Sequence, residues 1–249
     1  MMILKDVMRV LDAIAPFEEA EEWDNVGLMV GDLQSEIKSI LVALDPSLEV
    51  IDAAREKCIN LILTHHPLIF KPISCLDLND VIAKKIANLI KCQINLVSMH
   101  TNLDKATGGI SDLLAARLGL NSVKSYGIMR VGSIDRETSL DIWLSTLSFK
   151  VARSIYVGRN VCRVAACPGS GIDYWQQALQ LGCDTLVTGD VRYHAGLDAK
   201  EAGINVVDLG HFGTEEIIIK PLAERLTKDL KGIDVLAHEG RDVFSLYNN

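Results

Sequence analysis

The 249-residue sequence lacks several features that define common classes of protein. None of its six cysteines forms a CxxC pair, which argues against a structural zinc site and predicts reduced core thiols. No apolar run approaches the roughly 18 residues that a membrane-spanning helix needs. The charged N-terminal segment is not typical of a secretory signal. These absences predict a cytoplasmic protein without a membrane partner.

Basic residues are also scarce. Lys and Arg total 25 against 33 for Asp and Glu, which gives a net charge of −8. Such a chain is a poor default binder of nucleic acid, although a local basic patch would revive that interpretation. A P-loop motif for nucleotide phosphates is absent as well. With 49% hydrophobic and 23% charged residues, the composition is that of an ordinary globular chain of one or two domains.

Short apolar runs alternate with helical patterns along the chain. The runs at 40–44, 61–63 and 94–97 each end in a polar cluster, and segments with helical spacing separate them. Continuous apolar runs of this length are typical of strands buried on both faces of a sheet. The alternation predicts an α/β fold.

The second half of the chain repeats the pattern of the first. Apolar runs recur at 164–167, 185–187 and 204–207, and Thr188 follows Thr64 at an offset of 124 residues. The repeat indicates an internal duplication. We therefore predict two similar α/β halves, residues 1–124 and 125–249, which exchange some elements and pack around one metal site between them.

Polar clusters at the ends of the predicted strands supply candidate metal ligands. Ligands of α/β sheets bind beyond the carboxyl ends of the strands. The first half supplies two histidines and an aspartate, and the second supplies a histidine and a glutamate spaced for one face of a helix. Three neutral and two anionic ligands suit two divalent ions (Zn, Mn or Fe) with open positions for water. The five candidates are His65, His66, Asp104, His211 and Glu215.

Each feature also has a simpler interpretation, which the spacing alone leaves open. A histidine after a strand is often an ordinary loop residue, and Asp104 could cap the helix that follows it. The segment 23–27 is most simply a turn with an aromatic plug. The glycine-rich segment 169–171 is too short to establish a phosphate site.

Five motifs, in order along nearly the whole chain, resemble those of the Nif-three-like family. They are residues 23–27 (WDNVG), 64–70 (THHPLIF), 100–104 (HTNLD), 188–190 (TGD) with Tyr193 and His194, and 210–215 (GHFGTE). Members of that family are commonly named type-2 GTP cyclohydrolase I homologues. The chain is similar to the short form, which has no domain inserted in the middle.

The resemblance implies a two-domain α/β fold, a toroidal homohexamer built as a trimer of dimers, and a dinuclear metal site formed by the five ligands. It also implies that His100 and His194 lie close to the metals, where either could act as general acid or base. Pro168 and Asp190 depart from the family pattern, which usually has glycine and often glutamate there. Neither is one of the five ligands, so the departures concern the shape of the pocket.

The predicted function is that of a metal-dependent hydrolase. By resemblance it is a GTP cyclohydrolase type 2 homologue, in which metal-bound hydroxide opens the guanine ring and formate is then lost. A nucleotide substrate is implied only by the resemblance, with Arg130, Arg163 and Arg192 as candidates to contact its triphosphate. The rival hypotheses are a metal-binding, regulatory or scaffold protein without turnover and, less favoured by the charge, a nucleic-acid-binding ring.

Overall fold

The computed structural model describes residues 2–149 and 153–245. The chain divides into two compact units, and each unit is formed by two segments of the chain. Unit 1 comprises Met1–Ala106 and Ile218–Gly240, and unit 2 comprises Thr107–Ile217 and Arg241–Asn249. Residues 107–124, which the sequence analysis placed in the first half, thus belong to unit 2.

Unit 1 contains a five-stranded sheet with helices packed on it. Its strands are β1 (Gly27–Val30), β2 (Ser39–Ala43), β3 (Leu61–Thr64), β4 (Asn95–Ser98) and β11 (Asp234–Ala237). Its helices are α1 (Leu4–Ile14), α2 (Leu48–Glu56), α3 (Val81–Lys91), α4 (Thr101–Lys105) and α10 (Ile219–Asp229). A 3₁₀ turn also spans Phe17–Glu19.

The strand order in unit 1 is β1-β4-β3-β2-β11. Strands β11, β2, β3 and β4 are mutually parallel, and β1 is antiparallel at the edge. The last residues of the three central strands, Ala43, Thr64 and Ser98, pair in register. Their carboxyl ends therefore share one edge of the sheet, and the polar residues that follow them are brought together there.

Unit 2 contains a six-stranded sheet. Its strands are β5 (Asn121–Tyr126), β6 (Met129–Thr138), β7 (Arg153–Ile155), β8 (Val161–Ala166), β9 (Thr185–Thr188) and β10 (Asn205–Asp208). Its helices are α5 (Ile110–Arg117), α6 (Leu140–Thr146), α7 (Trp175–Gln180), α8 (Tyr193–Glu201) and α9 (His211–Glu215). The 3₁₀ turns are Ile172–Tyr174 and Glu216–Ile218, the latter leading from unit 2 into unit 1.

The two sheets share one topology at their centres, which confirms the predicted α/β fold with two similar halves. Unit 2 has the order β5-β6-β8-β9-β10-β7, in which β8, β9 and β10 are parallel and β7 is antiparallel. The run β7-β10-β9-β8 thus matches β1-β4-β3-β2 of unit 1. The sheets differ at the other edge, where unit 1 adds the parallel β11 and unit 2 adds the antiparallel β6 and β5.

The duplication extends to individual hydrogen bonds. The side chain of Asn60, just before β3, accepts hydrogen bonds from the backbone amides of residues 38 and 39 at 3.1 and 3.3 Å. In unit 2, 124 residues later, Asp184 accepts from the amides of residues 162 and 163 at 2.9 and 2.7 Å. Each side chain joins the starts of the first two parallel strands of its unit.

A second pair of side chains repeats in the same way. Asn95 and Asn205 begin β4 and β10 and are buried. Asn95 accepts a hydrogen bond from the amide of Asp32 at 3.0 Å, and Asn205 accepts one from the amide of Val157 at 3.1 Å. In both units the donor follows the antiparallel edge strand, so the edge strand is fastened to its neighbour by an equivalent contact.

Burial explains why the strands have continuous apolar runs. Every residue of β3, β4, β9 and β10 is buried. Such strands lose the alternating pattern of a half-exposed sheet because both of their faces are covered.

The longest described helices, α1, α3 and α10, have 11 residues each. None of the described helices has the length and apolar content to cross a membrane.

The expectation that the cysteines are core thiols is wrong for most of them. Cys58, Cys75 and Cys162 are exposed. Cys92 is half-buried, and Cys167 and Cys183 are buried. Burial raises the pKa of the Cys183 thiol to about 11. That thiol stays protonated at neutral pH and is therefore not a nucleophile.

Cys58 occupies a backbone position that suits glycine. It follows the C-terminal cap of α2 with a φ of +53°, whereas the equivalent residue of unit 2 is Gly182 with a φ of +76°. We expect Cys58→Gly to raise the free energy of unfolding by about 1 kcal/mol, because a Cβ atom is strained in the left-handed region. Cys58→Ala keeps that Cβ and serves as the control. Urea denaturation that ranks the alanine variant at or above the glycine variant would contradict this interpretation.

Candidate metal centre

Three imidazole rings meet at the carboxyl edge of the unit 1 sheet. His65 and His66 directly follow β3, and His100 lies between β4 and α4. The ring centroid of His65 is 4.9 Å from those of both His66 and His100, and the latter two are 5.7 Å apart. One donor nitrogen from each ring lies within 4.8 Å of the others. We call these three residues the histidine cluster.

Hydrogen bonds fix the orientation of the first two rings. The Nδ1 atom of His65 lies 2.9 Å from the carbonyl oxygen of Met99, and that of His66 lies 2.8 Å from a carboxylate oxygen of Asp45. Both partners can only accept, so each Nδ1 carries the proton that it donates. The arrangement makes Nε2 the ring nitrogen suited to a metal ion, and such outer partners are a regular feature of metal sites.

The spacing within the histidine cluster fits a metal ion. Two nitrogens bound to one zinc ion at about 2.1 Å lie at most about 4.2 Å apart. Donors within 4.8 Å of one another reach that spacing with small side-chain rotations. The buried Asp104 adds a carboxylate, whose Oδ1 is 3.8 Å from Nε2 of His65. Unit 1 thus brings three neutral donors and one anionic donor together at one sheet edge.

His100 is held by a residue that the sequence analysis did not select. The side chain of Asp24 is buried and lies 2.8 Å from Nδ1 of His100. It also accepts hydrogen bonds from the amide of Thr101 at 3.0 Å and from its hydroxyl group. Burial by itself would raise the pKa of Asp24, but the hydrogen bonds from His100 and Thr101 outweigh it and lower the pKa to about 2. The ionised carboxylate fixes the ring of His100.

Unit 2 carries a second, smaller group of donors. His211 and Glu215 begin and end α9, and Nε2 of His211 lies 3.0 Å from Oε2 of the buried Glu215. Nδ1 of His211 lies 2.8 Å from a carboxylate oxygen of Asp190. The departure from the family pattern at Asp190 therefore keeps a carboxylate beside the histidine. We call His211 and Glu215 the unit 2 pair.

Glycine is required next to the unit 2 pair. A Cβ atom on Gly169 would lie 2.3 Å from Oε1 of Glu215, and the residue has a φ of +60°. The amides of Gly169 and Gly171 donate hydrogen bonds to the hydroxyl groups of Thr214 and Thr188 at 3.0 and 2.8 Å. The glycine-rich segment thus packs tightly against the pair, and the amides of its two glycines are engaged within the protein rather than directed to a phosphate.

The remaining candidates from the sequence analysis are a histidine, His194, and three arginines. His194 is exposed on the first turn of α8, where its ring contacts Tyr193 edge-on at 5.3 Å. Across residues 2–149 and 153–245, no set of three close metal donors includes it. Of the three arginines considered for a triphosphate, Arg130 is buried and pairs with Asp112, while Arg192 pairs with an aspartate on the surface. Arg163 donates to a backbone carbonyl at 3.0 Å.

Comparison with known proteins relates nearly the whole chain to one family. The family model described as Duf34/NIF3 (NGG1p interacting factor 3) matches residues 2–241. A protein of Clostridium perfringens named GTP cyclohydrolase 1 type 2 homolog is 39% identical over 263 residues, covering 98% of this chain and 99% of the relative. A Lactococcus lactis protein of the same name is 33% identical over 250 residues, covering 94% and 95%.

Solved structures agree with the sequence comparisons. A hypothetical protein of Staphylococcus aureus superposes with a TM-score of 0.90 at 31% identity, covering 99% of both chains. The reduced HcgD protein of Methanocaldococcus jannaschii superposes with a TM-score of 0.83 at 33% identity, covering 95% of this chain and 97% of HcgD. The resemblance drawn from the five motifs is confirmed, and the chain belongs to the Duf34/NIF3 family.

Proposed function

We propose that the protein is a metal-dependent hydrolase that uses two divalent ions. The ligands would be His65, His66 and Asp104 from unit 1 and His211 and Glu215 from unit 2. The observation that supports the proposal best is the histidine cluster, whose donors lie within 4.8 Å of one another at the carboxyl edge of the unit 1 sheet. The unit 2 pair adds a histidine and a buried carboxylate.

The donor set suits hydrolysis of an anionic substrate. Two divalent ions, when bound, would lower the pKa of a water molecule and polarise the substrate. Three neutral imidazoles and two carboxylates compensate only two of the four positive charges. The remaining charge favours a substrate that carries phosphate. The relatives named GTP cyclohydrolase 1 type 2 homolog make GTP the first compound to test.

The proposal assigns proton transfer to His100. Asp24 holds the ring through Nδ1 at 2.8 Å, so Nε2 is the atom that would give or take the proton. The imidazole is suited to this role because its ring nitrogens can both donate and accept a proton. His194, exposed on α8, remains the second candidate for an acid or base.

A specific observation also favours a metal-binding protein without turnover. His100 lies as close to His65 as His66 does, with both ring distances at 4.9 Å. If His100 coordinates an ion, the ligand set of unit 1 is more complete and leaves less room for water. The two candidate functions therefore differ in what His100 does.

Metal content and turnover should be measured together. We expect close to two ions per chain by elemental mass spectrometry after loading with Mn²⁺, Fe²⁺ or Zn²⁺, and formate release from GTP that chelation abolishes. His100→Gln should keep both ions and lose turnover if His100 transfers protons. Loss of metal in that variant would favour the binding protein. A loaded wild type that retains no ion would overturn both.

We also propose the homohexamer that the family resemblance implies. Light scattering should then give a mass about six times the 27.3 kDa of one chain. A mass that stays at one or two chains across the concentration range would contradict this assembly.

A further inference from the structure

We propose that Trp23 and Phe70 form a stacking platform for the planar heteroaromatic ring of the substrate, beside the histidine cluster. The inference rests on the proposed function, since it names the class of substrate that the same site binds. That class is a fused nitrogen heterocycle carrying an anionic group, such as a purine nucleotide. We call the two side chains the aromatic platform.

The aromatic platform contacts the histidine cluster directly. The ring centroids of Trp23 and Phe70 are 5.9 Å apart, with an angle of 54° between the planes. Each ring also meets His100 nearly edge-on, at 6.2 Å and 78° for Trp23 and at 6.4 Å and 80° for Phe70. The three rings form a triangle with sides of about 6 Å. A ligand ring stacked on either aromatic side chain therefore lies close to His100 of the histidine cluster.

Both aromatic side chains are far more exposed than an aromatic side chain in the core. Trp23 is 59% exposed and Phe70 is 44% exposed, whereas Trp143, in the core of unit 2, is 4% exposed. Leaving such rings in water forfeits the hydrophobic stabilisation that burial would give. An exposed aromatic face beside a polar site is the group on which bases stack, and stacking contributes substantially to affinity for any base.

The surrounding hydrogen bonds hold the aromatic platform in place. Asp24, the neighbour of Trp23, is fixed by the buried bonds described above. The side-chain amide of Asn25 donates to the carbonyl oxygen of Ile69, the neighbour of Phe70. The two segments that carry the rings are thus joined to each other and to the histidine cluster. A ligand that stacks on a preorganised surface loses less entropy on binding.

The neighbouring exposed residues differ from the aromatic platform. The segment after Phe70 exposes aliphatic side chains, including Leu76 at 56% and Leu78 at 55%. Aliphatic groups provide no flat face for a ring. The aromatic pair lies against His100, where the charge of bound metal would attract the phosphates of the same ligand. Proximity to that charge and the flat aromatic faces together favour a nucleotide over a second copy of the chain as the occupant.

The test is equilibrium binding to the metal-loaded protein. The Kd of 7-deaza-GTP is measured by equilibrium dialysis for wild type, Trp23→Ala and Trp23→Phe, with ribose 5-phosphate as a probe that lacks a base. This analogue keeps the planar ring but has carbon in place of N7, so the proposed ring opening does not consume it during dialysis. We expect Trp23→Ala to raise its Kd about tenfold and Trp23→Phe to stay within about threefold of wild type. The affinity for ribose 5-phosphate should not change. Leu76→Ala, on the same exposed segment, is the control.

Three other results would each contradict the proposal that the aromatic platform stacks on the substrate. A Kd for 7-deaza-GTP that is unchanged in both Trp23→Ala and a second variant, Phe70→Ala, would show that the rings do not stack on the ligand. Equal losses of affinity for 7-deaza-GTP and ribose 5-phosphate would show a general disturbance of the site. A changed oligomeric mass in Trp23→Ala would show that the pair contacts another copy. Metal content distinguishes this proposal from the proposed function. Two ions per chain with no effect of the aromatic variants on the Kd would contradict only the aromatic platform, whereas the absence of bound ions would contradict the proposed function.

Discussion

Glu215→Gln is expected to lower the affinity for divalent metal by at least about 100-fold and to abolish metal-dependent hydrolysis. Loss of an outer partner of a metal ligand already costs 10- to 100-fold, and a direct ligand contributes more. Glu215 is 3% exposed, and its Oε2 is 3.0 Å from Nε2 of His211. Glutamine keeps the volume of the side chain and replaces an anionic oxygen with a neutral amide. The substitution therefore tests charge rather than packing.

The measurement is metal content by elemental mass spectrometry after dialysis against a buffer of fixed free metal concentration. Glu201→Gln, at the exposed end of α8 in the same unit, is the matched control and should bind metal like wild type. Urea denaturation of the metal-free proteins separates stability from binding. A stable Glu215→Gln variant with two ions per chain would remove Glu215 from the ligand set. Reduced stability with unchanged affinity would make its role structural.

The central strands of both units could be predicted because local sequence determines them. The central strands are buried on both faces, and their apolar runs mark them without knowledge of their partners. The 124-residue repeat could be read from Thr64 and Thr188 for the same reason. Pro221 lies in the first turn of α10, which begins two residues before it and where proline is tolerated.

Long-range pairing is the part that local patterns could not supply. Strand β11 has four residues, mostly exposed, and pairs in parallel with β2 through Asp234 and Ser39. Its own sequence carries no signal of that partner, so Ile218–Gly240 was not assigned to unit 1. Asp24 was missed for a similar reason. Its partner His100 lies 76 residues away, and an aspartate followed by asparagine is an ordinary turn sequence.

Asp24→Asn is expected to lower the free energy of unfolding by about 1–2 kcal/mol at pH 7 and to reduce turnover about 100-fold or more. The ionised carboxylate accepts hydrogen bonds from His100 and from two groups of Thr101. An asparagine amide has one acceptor oxygen and places donors against donors on the other side. The ring of His100 then loses the anionic acceptor that fixes its tautomer, while the other donors of the histidine cluster keep their partners.

The effect on stability should disappear in acid. The pKa of Asp24 is about 2 in the folded protein, below its ordinary value of 3.8, so its stabilisation is present above about pH 4 and is lost as the pH falls towards 2. The difference in unfolding free energy between wild type and Asp24→Asn should shrink across that range. Chelator-treated protein is used, so that release of metal in acid does not contribute.

Asp141→Asn, an exposed substitution on α6, should show no comparable difference at any pH. Other carboxylates titrate equally in wild type and in Asp24→Asn, so their contributions cancel in the comparison. A difference that persists unchanged at pH 2.5 would mean that Asp24 stabilises the fold by shape rather than by charge. Metal content gives the final distinction. If Asp24→Asn keeps its ions and loses turnover, Asp24 positions a His100 that transfers protons. If the variant loses ions, Asp24 positions a His100 that binds metal.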